Sequence, residues 1–260
     1  PYLTVLDDSA KIWADAMHYM RVGDRLKAGV HALQGLKGDA QDKSFAWLMG
    51  FASHVAMDVT LHPVVELKVG EYAENSKNHR ICEMHQDVFI FQEMNMGPMD
   101  LAEFLDSGIG RCSNPGNSDE LDLDIATIWE RMLKAADPEN FDNFSPDFNK
   151  WHRRFKAMVD DIAEETSRVP AFARHALADT GMAYPTQDEL NSTYLVDLEV
   201  PGGGTMAYSD LFNKAQDKVV WLWSLIARGV FGFDNEYETA IHNWNLDTGR
   251  RPDGTLEFWS

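Results

Sequence analysis

The stretch from Gln41 to Leu61 has almost no polar face. Phe45, Ala46, Trp47, Leu48, Met49, Phe51, Ala52, Val55, Ala56, Met57, Val59 and Leu61 leave little of a helix here for solvent. A helix that is apolar all round is buried, so other elements must surround it. This points to a multi-helix domain with the segment near its centre.

The same helix carries three polar groups that a buried surface tolerates poorly. His54, Asp58 and His62 recur every four residues, a little over one turn, so they stack on one face with about 40° of drift per step. Burying them without strong partners costs roughly several kcal/mol, mostly for the carboxylate. A metal ion is such a partner. His79 and Glu83, in NHRICEMHQ, repeat the spacing on the next predicted helix. Taken singly, a His on an apolar stripe is more often a hydrogen-bonded core residue, and a His/Asp pair one turn apart a side-chain hydrogen bond. Five such ligands on two neighbouring helices read instead as a polynuclear metal site, for which neutral His and ionised Asp or Glu suit Zn²⁺. His85 and Asp87 are runner-up ligands, or partners that orient ligating imidazoles. His152, His175 and His242 stand outside the pattern and read as structural or exposed.

The remaining pattern is almost entirely helical. One long amphipathic helix is expected from Asp8 to Gln34, then the buried helix from Gln41 to Leu61, with Pro63 placing His62 where that helix ends. Asn75 or Ser76 caps a helix running to about Met94. A short helix is expected at Asp100 to Leu105, and others at Asp119 to Ala136, Pro146 to Ser167, Ala171 to Thr180 and Tyr208 to Phe231. The run Gly202, Gly203, Gly204 is no phosphate cradle, since no Lys-Ser/Thr follows it; it reads as a loop entering the helix at Tyr208. Residues 1–242 form the helical domain, and 243–260 a turn-rich tail with a small hairpin around Asp253 and Gly254. Trp221, Trp223, Phe231, Phe233, Tyr237 and Trp244 crowd the last third of the chain, more as core than as a cage for a quaternary ammonium.

Composition bounds the function. With 260 residues and 44% hydrophobic content the core needs no disulfide, and Cys82 and Cys112 show no spacing that demands one. Forty-two acidic residues against 23 basic give a net charge of −19, which repels a phosphate backbone and argues against nucleic acid as partner. No apolar run reaches the length of a membrane span. There is no nucleophile elbow, Walker loop or dinucleotide fingerprint.

HVAMDVTLHP, HRICE and the upstream WADAMHY resemble the bacterial zinc-dependent phospholipase C family, itself related to single-strand-specific zinc nucleases. Residues 8 to 90 carry the resemblance. It implies an all-α fold and hydrolysis of phospholipid headgroups by a metal-activated water. It implies that His62, His79 and Glu83 hold one zinc, that His18 and His54 hold another, and that Asp58 bridges this second ion to a third. It also implies an upstream carboxylate that ligates metal and activates the water, for which Asp8 or Asp7 is the nearest match. The family's third ion also takes an early His and the terminal amino group of a Trp, neither of which a chain starting at Pro1 offers: either a further N-terminal stretch supplies them, or the third site is built differently or absent. Two or three Zn²⁺ ions are expected. The acidic balance is compatible with a zwitterionic headgroup such as phosphocholine, met at a membrane surface. Secretion, or delivery outside the cytoplasm, is the matching expectation. The rival expectations are a zinc nuclease acting on single strands and a non-catalytic module that keeps the metal as a clamp.

Overall fold

The structure, a computed structural model, describes residues 8–96, 108–157 and 184–260. The chain is all-α. Helix α1 spans Asp8–Tyr19, α2 Val22–Gln34, α3 Asp39–Val69, α4 Tyr72–Glu93, α5 Leu123–Ala136 and α6 Tyr208–Val230. Two short antiparallel pairings are the only sheets among the described residues: Ser113–Asn114 with Asn117–Leu121, and Leu198–Glu199 with Thr205–Met206.

Helix α3 lies at the centre, as its all-round apolarity demands. Leu48, Ala52, Val55, Ala56 and Val59 are fully buried in one core with Leu26 and Val30 of α2, Ile128 and Met132 of α5, and Leu222, Leu225 and Ile226 of α6. Each large apolar side chain so buried contributes about 1.5–3 kcal/mol. The core therefore surrounds α3 and fixes which of its faces stays available to polar side chains.

The expected helix from Asp8 to Gln34 is two helices. The chain breaks at Arg21, which takes left-handed backbone angles (φ 54, ψ 33). The break is stabilised by the buried Arg25, whose guanidinium donates to the carbonyls of Ala16 and Met20 at the end of α1 and pairs with Asp137. At the start of α2, the Asn243 side chain accepts from the Asp24 N–H at 3.0 Å. Both devices act across long sequence separations, so periodicity alone misses them.

The helix expected from Asp119 starts at Leu123 instead. Asp122 caps it by accepting from the Asp124 N–H at 2.9 Å, and the residues before it pair as a strand. Helix α4 starts at Tyr72, ahead of the cap expected at Asn75 or Ser76: Asn75 has non-helical angles inside the helix, and its side-chain amide donates to the Glu71 carbonyl at 3.1 Å instead of accepting from an N–H. The three glycines 202–204 form the positive-φ tip of the second hairpin. Residues 148–157 are helical, whereas the rest of the segment expected up to Ser167, and the helices at Asp100 to Leu105 and Ala171 to Thr180, lie outside the described residues.

The tail buries Trp244, Leu246 and Phe258 in the central core, and its turn closes around Gly254, whose N–H donates to the Arg251 carbonyl. Tyr237 is buried too, whereas Phe231 and Phe233 are exposed. The Trp223 indole donates to the Met49 carbonyl and to Ser53.

Candidate metal centre

Pro63 does not end the helix. Helix α3 runs through it to Val69, which overturns the expectation that His62 sits at a helix end. Proline costs a helix one hydrogen bond and crowds the preceding turn. Here Val64 and Val65, buried at 1% exposure, anchor the turn beyond it, Val64 against Leu198 and Leu211. The tail covers the outer side, where the Trp259 indole donates to the Thr60 carbonyl at 3.1 Å. His54, Asp58 and His62 consequently stay in one helical register.

The six expected ligand side chains among the described residues form an unbroken row. The Nε2 atoms of His18 and His54 are 3.2 Å apart. His54 Nδ1 lies 3.4 Å from one oxygen of Asp58, and the other oxygen lies 3.8 Å from His62 Nε2. His62 Nε2 is 3.0 Å from Glu83 Oε1, and His79 Nε2 is 3.3 Å from that same oxygen. Helix α1 supplies His18, α3 the middle three and α4 the last two. The rings are oriented from behind: His18 Nδ1 bonds the Ala14 carbonyl at 2.9 Å, and His62 Nδ1 bonds the Leu246 carbonyl at 2.7 Å.

Burial and charge act on the row in opposite directions. Burial, with a smaller push from His54, lowers the pKa of His18 to about 4 against the raising effect of the Ala14 carbonyl. At His62 burial also lowers the value, but Asp58, Glu83 and the Leu246 carbonyl together raise it to about 9. Burial would raise Glu83, yet its bonds from His62 and His79 bring it down to about 2. The result is an anionic carboxylate clasped by two imidazoles, at which a cation would displace a proton from His62.

Other candidates fall elsewhere. His85 Nδ1 accepts from the Asn191 N–H at 3.2 Å and its ring packs on Tyr194. Asp87, one turn beyond Glu83, accepts from the Tyr184 hydroxyl at 3.3 Å. His152 bonds Ser113 and His242 bonds Glu257. His175 and Asp7 lie outside the described residues, and of Asp8 the structure describes only the backbone, as the first residue of α1.

Sequence reasoning missed Asp247. It accepts from the Tyr19 hydroxyl and lies close enough to His62, His79 and Asp58 to feel their charges. Burial, the largest effect, raises its pKa. No periodicity marks a ligand-side residue in a turn-rich tail. A cleft of about 440 Å³ opens beside the row, lined by Tyr72, Ser76, Lys77, His79, Arg80 and Glu83.

A family model described as zinc-dependent phospholipase C matches residues 1–139, the span that contains the whole row of side chains from His18 to Glu83. No curated protein and no solved structure matches the chain. The residues fit the ion this family name implies. His62, His79 and Glu83 each offer a ligand atom, all within 4.8 Å of one another. The buried Nδ1 of His79 has no hydrogen-bond partner among the described residues. Two imidazoles and one carboxylate are a usual zinc set that leaves a coordination position open.

Proposed function

The chain belongs to the zinc-dependent phospholipase C family, and we propose that it hydrolyses the phosphodiester of a phospholipid, using water to release the phosphorylated headgroup and leave diacylglycerol. The observation that carries this reading is the continuous row from His18 to His79, in which Asp58 offers one oxygen to each neighbouring histidine. In this reading His62, His79 and Glu83 would hold one ion, and His18, His54 and Asp58 would serve the others. Bound divalent ions supply a water acidified toward neutrality and charge stabilisation for the phosphoryl oxygens. Asp8 is the proposed water-activating carboxylate.

The side chains around the row favour a zwitterionic headgroup. Lys77 and Arg80 in the cleft suit a phosphate, and the Tyr72 ring suits an ammonium group. The net charge of −19 disfavours a polyanionic strand. Among the described residues no helix is long and apolar enough to cross a membrane. Action on lipid outside the cytoplasm, by transient contact with a membrane surface, completes the reading.

Zinc-loaded protein incubated with phosphatidylcholine or phosphatidylethanolamine vesicles is expected to form diacylglycerol while single-stranded DNA and RNA stay intact. Cleavage of the nucleic acids without headgroup release would replace this reading with the nuclease one. Zinc binding with neither activity would favour a non-catalytic, metal-stabilised module.

A further inference from the structure

We propose that the C-terminal tail is a working part of the metal centre: the Leu246 backbone is a positioning element that ties His18 to His62, and metal binding and tail docking are coupled. The proposal rests on the reading of His62, His79 and Glu83 as metal ligands. It concerns a segment far outside the span matched by the family model.

The backbone of one residue, Leu246, reaches both sets through its two flanking peptide groups. The Leu246 N–H donates to the His18 carbonyl at 2.8 Å, and the Leu246 carbonyl accepts from His62 Nδ1 at 2.7 Å. A ring held as a donor through Nδ1 presents Nε2 to whatever lies in front of it. For His62 that is Glu83 at 3.0 Å and Asp58 at 3.8 Å. The tail thus selects the nitrogen His62 offers, and fixes the end of α1 that carries His18.

The sequence is shaped for this approach. Gly249 has φ +64, and a Cβ there would come within 2.5 Å of the Pro63 ring and 2.6 Å of the Val59 carbonyl. Pro63 has no N–H to give that carbonyl, so the close packing falls on the turn between Val59 and Pro63 that bears His62. The strap is braced from within: Asn245 Oδ1 accepts from the N–H groups of Asp247 and Thr248 at 3.0 and 3.2 Å, and the Asn245 N–H donates to the Arg250 carbonyl. Trp244 and Leu246 are buried to 1% and 0% exposure. This arrangement carries Asp247 to Tyr19 and to the neighbourhood of His62 and His79.

Coupling is reciprocal, so whatever the docked tail adds to metal affinity the metal returns to tail docking. Hydrogen exchange of the otherwise unmodified protein reads the second half: the Leu246 amide is expected to exchange at least about tenfold more slowly with stoichiometric zinc than without it. Gly249→Ala reads the first half, with zinc affinity at the His62 set lowered about 10- to 100-fold and loss of the His62 Nδ1–H resonance in ¹H–¹⁵N spectra. Asn245→Ala, which loosens the strap without a steric clash, is expected to do the same more weakly and serves if Gly249→Ala does not fold. Asp122→Ala, at the remote cap of α5, controls for general destabilisation and is expected to leave zinc affinity unchanged. Zinc binding that is equal in the unmodified protein and both strap variants, with a Leu246 amide indifferent to zinc, would overturn the strap and leave the metal centre standing. Failure of the unmodified protein to bind zinc would overturn both.

Discussion

His18 and His54 meet nitrogen to nitrogen, their Nε2 atoms 3.2 Å apart and their rings steeply crossed at 74°. With His18 Nδ1 committed to the Ala14 carbonyl, its Nε2 carries the lone pair, and a proton on His54 or a cation between the rings satisfies it. A second positive charge does not fit. Burial sets the pKa of His18 at about 4, below its ordinary 6.5, so between these values the unfolded chain binds a proton that the folded chain refuses. The associated stability is complete above pH 6.5 and is lost as pH falls toward 4. In metal-free protein, His18→Gln is expected to remove about 2 kcal/mol of that acid-side loss, read as the difference between the two proteins in denaturant unfolding at pH 7 and pH 4. Parallel profiles would place His18 in a solvated, unperturbed setting.

His62 behaves in the opposite sense. Its pKa of about 9 means that at pH 7.5 the metal-free ring is protonated, with Nδ1–H on Leu246 and Nε2–H toward Glu83. A metal ligand must give up one of these protons, and geometry selects the one on Nε2. Calorimetric zinc titrations in buffers of different ionisation enthalpy should therefore show about one proton released for the ion at this set. Zinc uptake without proton release at pH 7.5 would remove His62 from the ligand list.

Asp58 is the residue on which a multinuclear centre depends most, because its two oxygens face different histidines at 3.4 and 3.8 Å. Asp58→Asn keeps the size and one acceptor but removes the charge that, in the proposed reading, would hold two cations at close range. Phospholipid hydrolysis is expected to fall about a hundredfold or more, with one or two metals lost by elemental analysis and circular dichroism unchanged. Full metal content with near-normal turnover would reduce Asp58 to a hydrogen-bonding residue.

Much of this was legible in the chain because the dominant signal is local. Four-residue spacing on a helix without a polar face placed His54, Asp58 and His62 on one side, and the same rule on α4 joined His79 to Glu83. What escaped was set by distant partners. Arg25 closing the end of α1, Asn243 capping α2, and the burial of Val64 and Val65 that carries α3 through Pro63 are contacts no window of neighbouring residues contains. Leu246 and Asp247 escaped for the same reason: a backbone carbonyl has no residue-type signature, and a lone Asp in a turn-rich tail looks like turn chemistry.

Asp87 tests whether charge one turn beyond the ligand row is tolerated only at a cost. Burial, helped by the Glu83 charge, raises its pKa from 3.8 to about 7 despite the Tyr184 hydroxyl that it accepts. Below pH 3.8 both folded and unfolded chains hold the proton and the group contributes nothing. From there to pH 7 the unfolded chain ionises first, so stability declines as pH rises, and above pH 7 the deficit is constant. Asp87→Asn retains an acceptor for Tyr184 and removes the ionisation. In metal-free protein it is expected to raise stability by about 1–3 kcal/mol at pH 8 while leaving pH 4 nearly unchanged, measured by denaturant unfolding at the two pH values. Equal stability of the two proteins at pH 8 would mean that the Asp87 carboxylate is solvated or paired, and that Tyr184 is not its main partner.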